Sequence, residues 1–293
     1  MATATMPDTA PASTFHHGPG QFRSKAVDQS WFAEPIVQTE HPRYRTPEEG
    51  AALLARDGYL VIPDLFSPDE VDRLYDYAVH GGEPDAAYEF KDWCFNKVLQ
   101  IDYRDDPSWL WTADMEPAIE QLDRLLGSDC KLGNSSVWIT GAGRKMEYHV
   151  DLRAVHLPPD AALPEGIVMP CLAAVLIASL IDEEVAHGPT MVIPGSHLRA
   201  PGPRSAPLQP RAVPLKRGQG LLLRTDVCHG AMPNVGPQRR YHFHANWGAS
   251  NHVNQDCPMR FREKWNPAVI SAATPRQRRI LGDRGDAEAK RAY

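Results

Sequence analysis

Cysteine is scarce in this chain and never closely paired. The five that occur, Cys94, Cys130, Cys171, Cys228 and Cys257, are odd in number, widely spaced and free of any Cys-x-x-Cys pair. That pattern argues against a disulfide framework and a structural zinc site, and it suits a reducing cytoplasm. A long basic run is also missing, and the net charge is -6. Nucleic acid and anionic membrane are therefore not expected as main partners. No basic region followed by an apolar core opens the chain, so no secretory signal is expected. The most apolar stretch, Ile167 to Ile181, is too short and too interrupted to span a bilayer. No internal repeat is found.

What remains describes a soluble globule. The chain has 293 residues, 42% hydrophobic and 23% charged. Its 27 prolines and 21 glycines imply many short elements joined by turns. Residues 1–45, rich in Ala, Thr, Pro, His and Gln, are expected to be a tail. Its first twenty residues should be mobile, and Trp31, Phe32 and Ile36 could drape over the domain. Order is expected to begin near Thr46, a helix cap followed by Glu48 and Glu49. Gly58 to Pro63 reads as a buried strand, and Ser67-Pro-Asp-Glu70 as a helix start. Pro117 to Leu126 has the apolar spacing of a second helix.

After Gly127 the periodicity changes to short strands. They are expected over Leu132–Thr140, Met146–Asp151, Leu172–Ile181, Thr190–Ile193, Ala212–Leu215, Gly220–Thr225 and Arg240–Trp247. Such strands, punctuated by Gly and Pro, indicate a sandwich or barrel. Residues 46–265 are read as one domain, and residues 266–293 as a peripheral segment, either helical or disordered.

Glu147 to Arg153 carries the chemistry. His149 and Asp151 stand at i and i+2, so on a strand they share a face and can meet at one point. His229, far downstream in Asp-Val-Cys-His-Gly, is a candidate third ligand. Two histidines and a carboxylate on one face of a metal are the ligand set of non-heme Fe(II) oxygenases. Arg240 lies on the next strand, and arginine suits a carboxylate through bidentate charge-assisted hydrogen bonds. Arg240 shares its strand face with His242, His244 and Asn246. Arg239 shares the other face with Tyr241, Phe243, Ala245 and Trp247.

The chain resembles the phytanoyl-CoA hydroxylase-like family of Fe(II)- and 2-oxoglutarate-dependent dioxygenases. The resemblance is carried by Gly58-Tyr-Leu-Val-Ile-Pro-Asp-Leu-Phe-Ser-Pro-Asp-Glu-Val71, by His149-Val-Asp151, by Gly188-Pro-Thr-Met-Val-Ile-Pro-Gly-Ser-His197, and by His229-Gly-Ala-Met-Pro-Asn234 with Arg240. It implies a mainly β fold with flanking helices, a double-stranded β-helix (jelly roll, cupin-like). It implies Fe(II) bound by His149, Asp151 and His229. It implies 2-oxoglutarate as co-substrate with its far carboxylate on Arg240, aided by the Thr190 hydroxyl, and O2 as the second co-substrate. Tyr148 stands where a tryptophan is common, and Ala231 where a serine is common. Halogenating relatives have a small residue at the position of Asp151, so the carboxylate here points away from halogenation.

The remaining polar residues carry two readings. Tyr148, Arg153, His242, His244 and Asn246 are candidates for the substrate pocket, while packed, hydrogen-bonded histidines are the plainer reading of His242 and His244. His197 reads as a structural turn residue, and His156 and His187 as loop residues. Trp93, Trp138 and Trp247 read as core, and Cys228 as a small buried hydrophobe. The expected activity is oxidation of a small organic substrate, such as a natural-product intermediate or amino acid, with release of succinate and CO2. The competing readings are a non-catalytic jelly-roll binding protein and a cupin-like metal enzyme that does not use 2-oxoglutarate. The expected partner is the small-molecule substrate, and oligomeric state is not readable from the sequence.

Overall fold

The computed structural model describes residues 14–16, 23–81, 87–89, 95–101, 106–167, 169–204, 208–249 and 267–282. Strands β1 (Thr14–His16) and β2 (Arg23–Ala26) pair antiparallel, and β3 (Ile36–Val37) follows. Thr46 caps α1 (Pro47–Arg56): its hydroxyl accepts the Glu49 N–H, and Glu48 and Glu49 sit at the positive end of the helix dipole. Next come β4 (Tyr59–Ile62) and α2 (Pro68–His80). Ser67 and Glu70 cap each other's backbone N–H groups at the start of α2. Strands β5 (Ala87–Glu89) and β6 (Lys97–Gln100) precede α3 (Glu116–Leu126).

The barrel itself runs through β7 (Lys131–Thr140), β8 (Met146–Val150), β9 (Ala173–Ser179), β10 (Thr190–Val192), β11 (Arg211–Val213), β12 (Gly220–Arg224), β13 (His229–Ala231) and β14 (Arg240–Gly248). Two short helices, α4 (Pro267–Ala272) and α5 (Pro275–Ile280), close the described chain. One seven-stranded sheet has the order β4-β12-β9-β14-β7-β6-β5, and the other β1-β2-β8-β13-β10-β11-β3. The chain passes between sheets from β7 to β14 so that β12, β9, β14 and β7 face β8, β13, β10 and β11. This is the double-stranded β-helix.

Strand parity sorts the apolar side chains into layers. On β14 the odd residues Phe243, Ala245 and Trp247 join the largest core, between the first sheet and the helices. Helix α2 contributes Val71 and Leu74 to it, and α3 contributes Ile119 and Leu122. Each such fully buried leucine or isoleucine stabilises the fold by about 1.5–3 kcal/mol relative to exposure. Between the sheets, Val175, Ile177, Val192, Val213, Leu221 and Leu223 fill one end of the barrel. The other end stays open and holds the site.

Order does not wait for Thr46. Strand β3 pairs parallel with β11, and Val27 and Phe32 pack on the outside of the second sheet. That face presents Tyr148, Val150, Met191 and Ile193, which would otherwise meet water. The tail expected over the first twenty residues falls, apart from β1, outside the described residues. The C-terminal helices are docked rather than loosely attached. Val269, Ile280 and Leu281 are completely buried, and Lys131 donates to the Arg279 carbonyl at 2.7 Å. Among the described residues no helix is long and apolar enough to cross a membrane.

Gly188, which leads into β10, is one position where only glycine fits. Its φ is +74°, and a Cβ there would lie 2.4 Å from the Met232 carbonyl oxygen. Gly188→Ala is therefore expected to destabilise the fold by about 2–4 kcal/mol. The urea midpoint should fall with an unchanged denaturant slope. A midpoint equal to wild type would mean that residues 188 and 232 are not in close approach.

Candidate active site

Strand β8 sends alternate residues to opposite faces. Tyr148 and Val150 pack outward, while His149 points into the barrel and Asp151 follows just past the strand end. Strand β13 lies beside β8 with His229 directly opposite His149, and the register shifts between His229 and Ala231. Such a bulge beside a site re-aims side chains. Gly230 makes the approach possible, because a Cβ there would lie 2.7 Å from the Met146 carbonyl oxygen. The two imidazole rings come to 4.3 Å between centroids.

The ligand atoms of His149, Asp151 and His229 all lie within 4.8 Å of one another. No other such group of His, Cys, Asp and Glu occurs among the described residues. Nε2 of His149 is 3.5 Å from one Asp151 oxygen, and Nε2 of His229 is 3.6 Å from the other. Each Nδ1 is held by a backbone carbonyl, Glu147 O at 2.7 Å and Val227 O at 3.0 Å. A carbonyl only accepts, so Nδ1 carries the proton and Nε2 presents its lone pair toward the carboxylate. Two neutral imidazoles and one carboxylate, so oriented, fit Fe(II).

The cavity beside the triad has a volume of about 60 Å³ and opens to solvent. Arg240 on β14 and Thr190 on β10 line it from facing sheets, and both are buried. Arg239 is exposed, as strand alternation requires of the neighbour of an inward arginine. His244 and Asn246 also line the cavity. His244 stacks on Trp138 with ring centroids 4.1 Å apart and planes 10° apart, and Asn246 donates to Asn134 Oδ1 at 2.6 Å.

Three pocket candidates are not on the cavity wall. Tyr148 neighbours a strand residue that points inward, so its ring faces out, against Phe32 and Met191. Arg153 lies beyond the strand end and donates to the carbonyls of Asp226 and Ser196, which ties the loop after β8 to the loop before β13 and the loop after β10. His242 is buried behind Arg240, against Glu183. His197 is bound to the Ala55 carbonyl at 2.9 Å, and His187 sits between the Glu184 N–H and Gln238. Neither reaches the triad. Cys228 is completely buried, and burial pushes its thiol up, which suits a small hydrophobe.

Trp138 is buried in a small cluster with Phe95 and Val98, as the core reading expects, and it also lines the cavity, with Phe95 tilted against it. Parity would have found it: Val137 and Ile139 go outward into the main core, so Trp138 and Thr140 must turn inward. Phe95 and Met146 carried no periodic signal. Trp93 lies outside the described residues, and Trp247 is core.

Comparisons with known proteins bear on the family and the fold. The model of the phytanoyl-CoA dioxygenase (PhyH) family matches residues 54–241. Ectoine dioxygenase of Stutzerimonas stutzeri (strain A1501) is 30% identical over 201 residues, which span 60% of this chain and 60% of that relative. EctD from S. alaskensis, solved in its apoform, superposes with a TM-score of 0.57 at 20% identity, covering 80% of this chain and 87% of its own. The epimerase SnoN, solved with Fe3+, alpha-ketoglutarate and nogalamycin RO, gives a TM-score of 0.54 at 18% identity over 70% of this chain and 84% of its own. At those identities the solved structures speak for the fold. The family match covers most of the chain, from α1 through all the barrel strands up to the start of β14: the protein belongs to the phytanoyl-CoA dioxygenase (PhyH) family.

Proposed function

We propose that the protein is a non-heme Fe(II)- and 2-oxoglutarate-dependent dioxygenase that oxidises, most simply by hydroxylation, a small organic substrate. The observation that carries this is the convergence of the His149, Asp151 and His229 ligand atoms in the same cavity as the Arg240 guanidinium. Family membership supports it. The substrate class we favour is a natural-product intermediate or an amino acid, handled in the cytoplasm.

Bound iron with 2-oxoglutarate supplies the oxidising chemistry: one atom of O2 ends in succinate and the other in the product, while CO2 leaves. The chain's own residues do the rest. His149, Asp151 and His229 would hold the ion from one side and leave its other positions to small molecules. Arg240 would clamp the far carboxylate of 2-oxoglutarate with its planar fork, and the Thr190 hydroxyl would add a hydrogen bond. The Trp138–His244 stack and Asn246 would orient the substrate C–H bond. The apolar side chains of Val175 and Ile177 keep water from the inner wall.

The test is succinate release from 2-oxoglutarate over a panel of amino acids and small natural products, with Fe(II) added or chelated. Release should depend on iron and rise with the right compound. An iron-loaded protein that neither binds nor consumes 2-oxoglutarate would leave the non-catalytic reading standing.

A further inference from the structure

Glu183 is a carboxylate that neither the triad nor the cavity wall uses. It follows β9, and its side chain has no exposure to solvent. Its Oε2 accepts the Leu215 N–H at 3.0 Å, and its Oε1 meets Nε2 of His242. The Glu183 N–H donates in turn to the Leu215 carbonyl at 2.9 Å, which fixes the loop. His242 stands two residues from Arg240 on the same face of β14.

The charge states follow from these contacts. Burial pushes the Glu183 carboxyl up, but His242, Leu215 and the Arg240 charge more than reverse this, so the group is held below the usual carboxylate range and is an anion. Burial pushes His242 down and the Glu183 charge opposes this, and its Nε2–H donates to Glu183. Among the described residues, the Arg240 cation and the Glu183 anion thus lie within electrostatic reach of each other beside His242. Burying a charge is costly unless an opposite charge lies near it, and Glu183 supplies one within reach of Arg240.

We infer that Glu183 is a resident counterion for Arg240, held in place by His242, and that this pair sets how tightly the far carboxylate of the co-substrate is bound. The inference rests on Arg240 being the carboxylate clamp proposed above. While the co-substrate is away, Glu183 balances the guanidinium through space. When a carboxylate arrives, a second anion enters the same region and Glu183 opposes it. The His242 N–H keeps Glu183 on its own side, away from the fork. Glu183 and His242 are positioning residues.

The experiment is titration of 2-oxoglutarate, and of pyruvate, into the anaerobic Fe(II)-loaded full chain, with melting temperatures measured in parallel. Pyruvate is a 2-oxo acid that lacks the far carboxylate. Glu183→Gln should bind 2-oxoglutarate roughly tenfold more tightly, because a like charge has gone. Its pyruvate affinity should not move. It should melt lower than wild type, and the gap should narrow when 2-oxoglutarate is saturating. Glu183→Asp keeps the charge and should stay near wild type. His242→Phe removes the donor, frees Glu183 to compete for the fork and should weaken 2-oxoglutarate binding about tenfold. His242→Gln keeps a donor and should not. The His242 pair carries the test if Glu183→Gln does not fold. A folded Glu183→Gln that binds 2-oxoglutarate no better than wild type overturns the inference, as does His242→Phe with wild-type affinity. A wild-type protein that binds pyruvate as tightly as 2-oxoglutarate overturns the clamp reading of Arg240, and this inference with it.

Discussion

Arg240→Ala is expected to weaken 2-oxoglutarate binding to the Fe(II)-loaded protein by roughly 30- to 1000-fold, a loss of about 2–4 kcal/mol. Arg239→Ala should leave binding within about threefold of wild type, since exposed charges contribute little. The two arginines are chemically identical and adjacent, so the contrast tests placement alone. Arg240 is buried in the cavity wall, opposite Thr140 on β7, and Arg239 is exposed. The alternation continues up β14, with His244 and Asn246 inward and Phe243, Ala245 and Trp247 outward in the main core. A slip of one residue would turn Trp247 into the cavity and Asn246 into the core, which the packing forbids. Arg240→Lys should recover little of the loss, because a lysine brings a point charge without the planar fork. Anaerobic titration calorimetry on the three variants reads the result. A larger loss in Arg239→Ala than in Arg240→Ala would remove the guanidinium from the proposed site.

The barrel strands were legible because their sequences alternate and end in turn residues. Leu132–Thr140, Gly220–Thr225 and Arg240–Trp247 differ from β7, β12 and β14 by a residue or so at the ends. Strand β13 was not legible. Three residues, His229, Gly230 and Ala231, carry no period, and it is a strand because β8 and β10 flank it on both sides. The cluster of His149, Asp151 and His229 could be read because His149 and Asp151 are close in sequence and His229 opens a segment that resembles the family's distal motif. Glu183 could not be read. It sits in the loop after β9, and only the fold brings it to His242 and Leu215. The error at Tyr148 has the opposite origin. Adjacency to a ligand suggested the pocket, but adjacency on a strand means the other face. The N-terminal segment reads as a tail whose Trp31, Phe32 and Ile36 could drape over the domain, and of these Phe32, together with Val27, packs on it. They suffice as a lid on the outward-facing Tyr148 and Met191.

The largest effect is expected at the triad. His149→Ala, Asp151→Ala and His229→Ala should each lower iron occupancy sharply, and each should abolish turnover, which here means a rate loss beyond about 1000-fold. With only three protein ligands, removing one leaves two, and no other His, Cys, Asp or Glu among the described residues is grouped with them to take its place. The cost exceeds the loss of one bond. Asp151 is the single carboxylate of the set, placed between the two Nε2 atoms, so Asp151→Ala removes the one charge within the set that offsets a divalent ion. Asp151→Asn keeps an oxygen ligand without that charge, and its iron affinity should fall between wild type and alanine. The histidine variants carry an internal comparison as well. Nδ1 of His229 is fixed by the Val227 carbonyl and Nδ1 of His149 by that of Glu147, so both rings are held whether or not an ion is bound. Iron content of purified proteins, measured by a colorimetric chelator after reconstitution under argon, gives the first readout, and succinate formation the second. His229→Ala with wild-type iron and wild-type succinate formation would show that the third ligand is elsewhere, because a site fixed this rigidly by β8 and β13 has no means of moving another histidine into place.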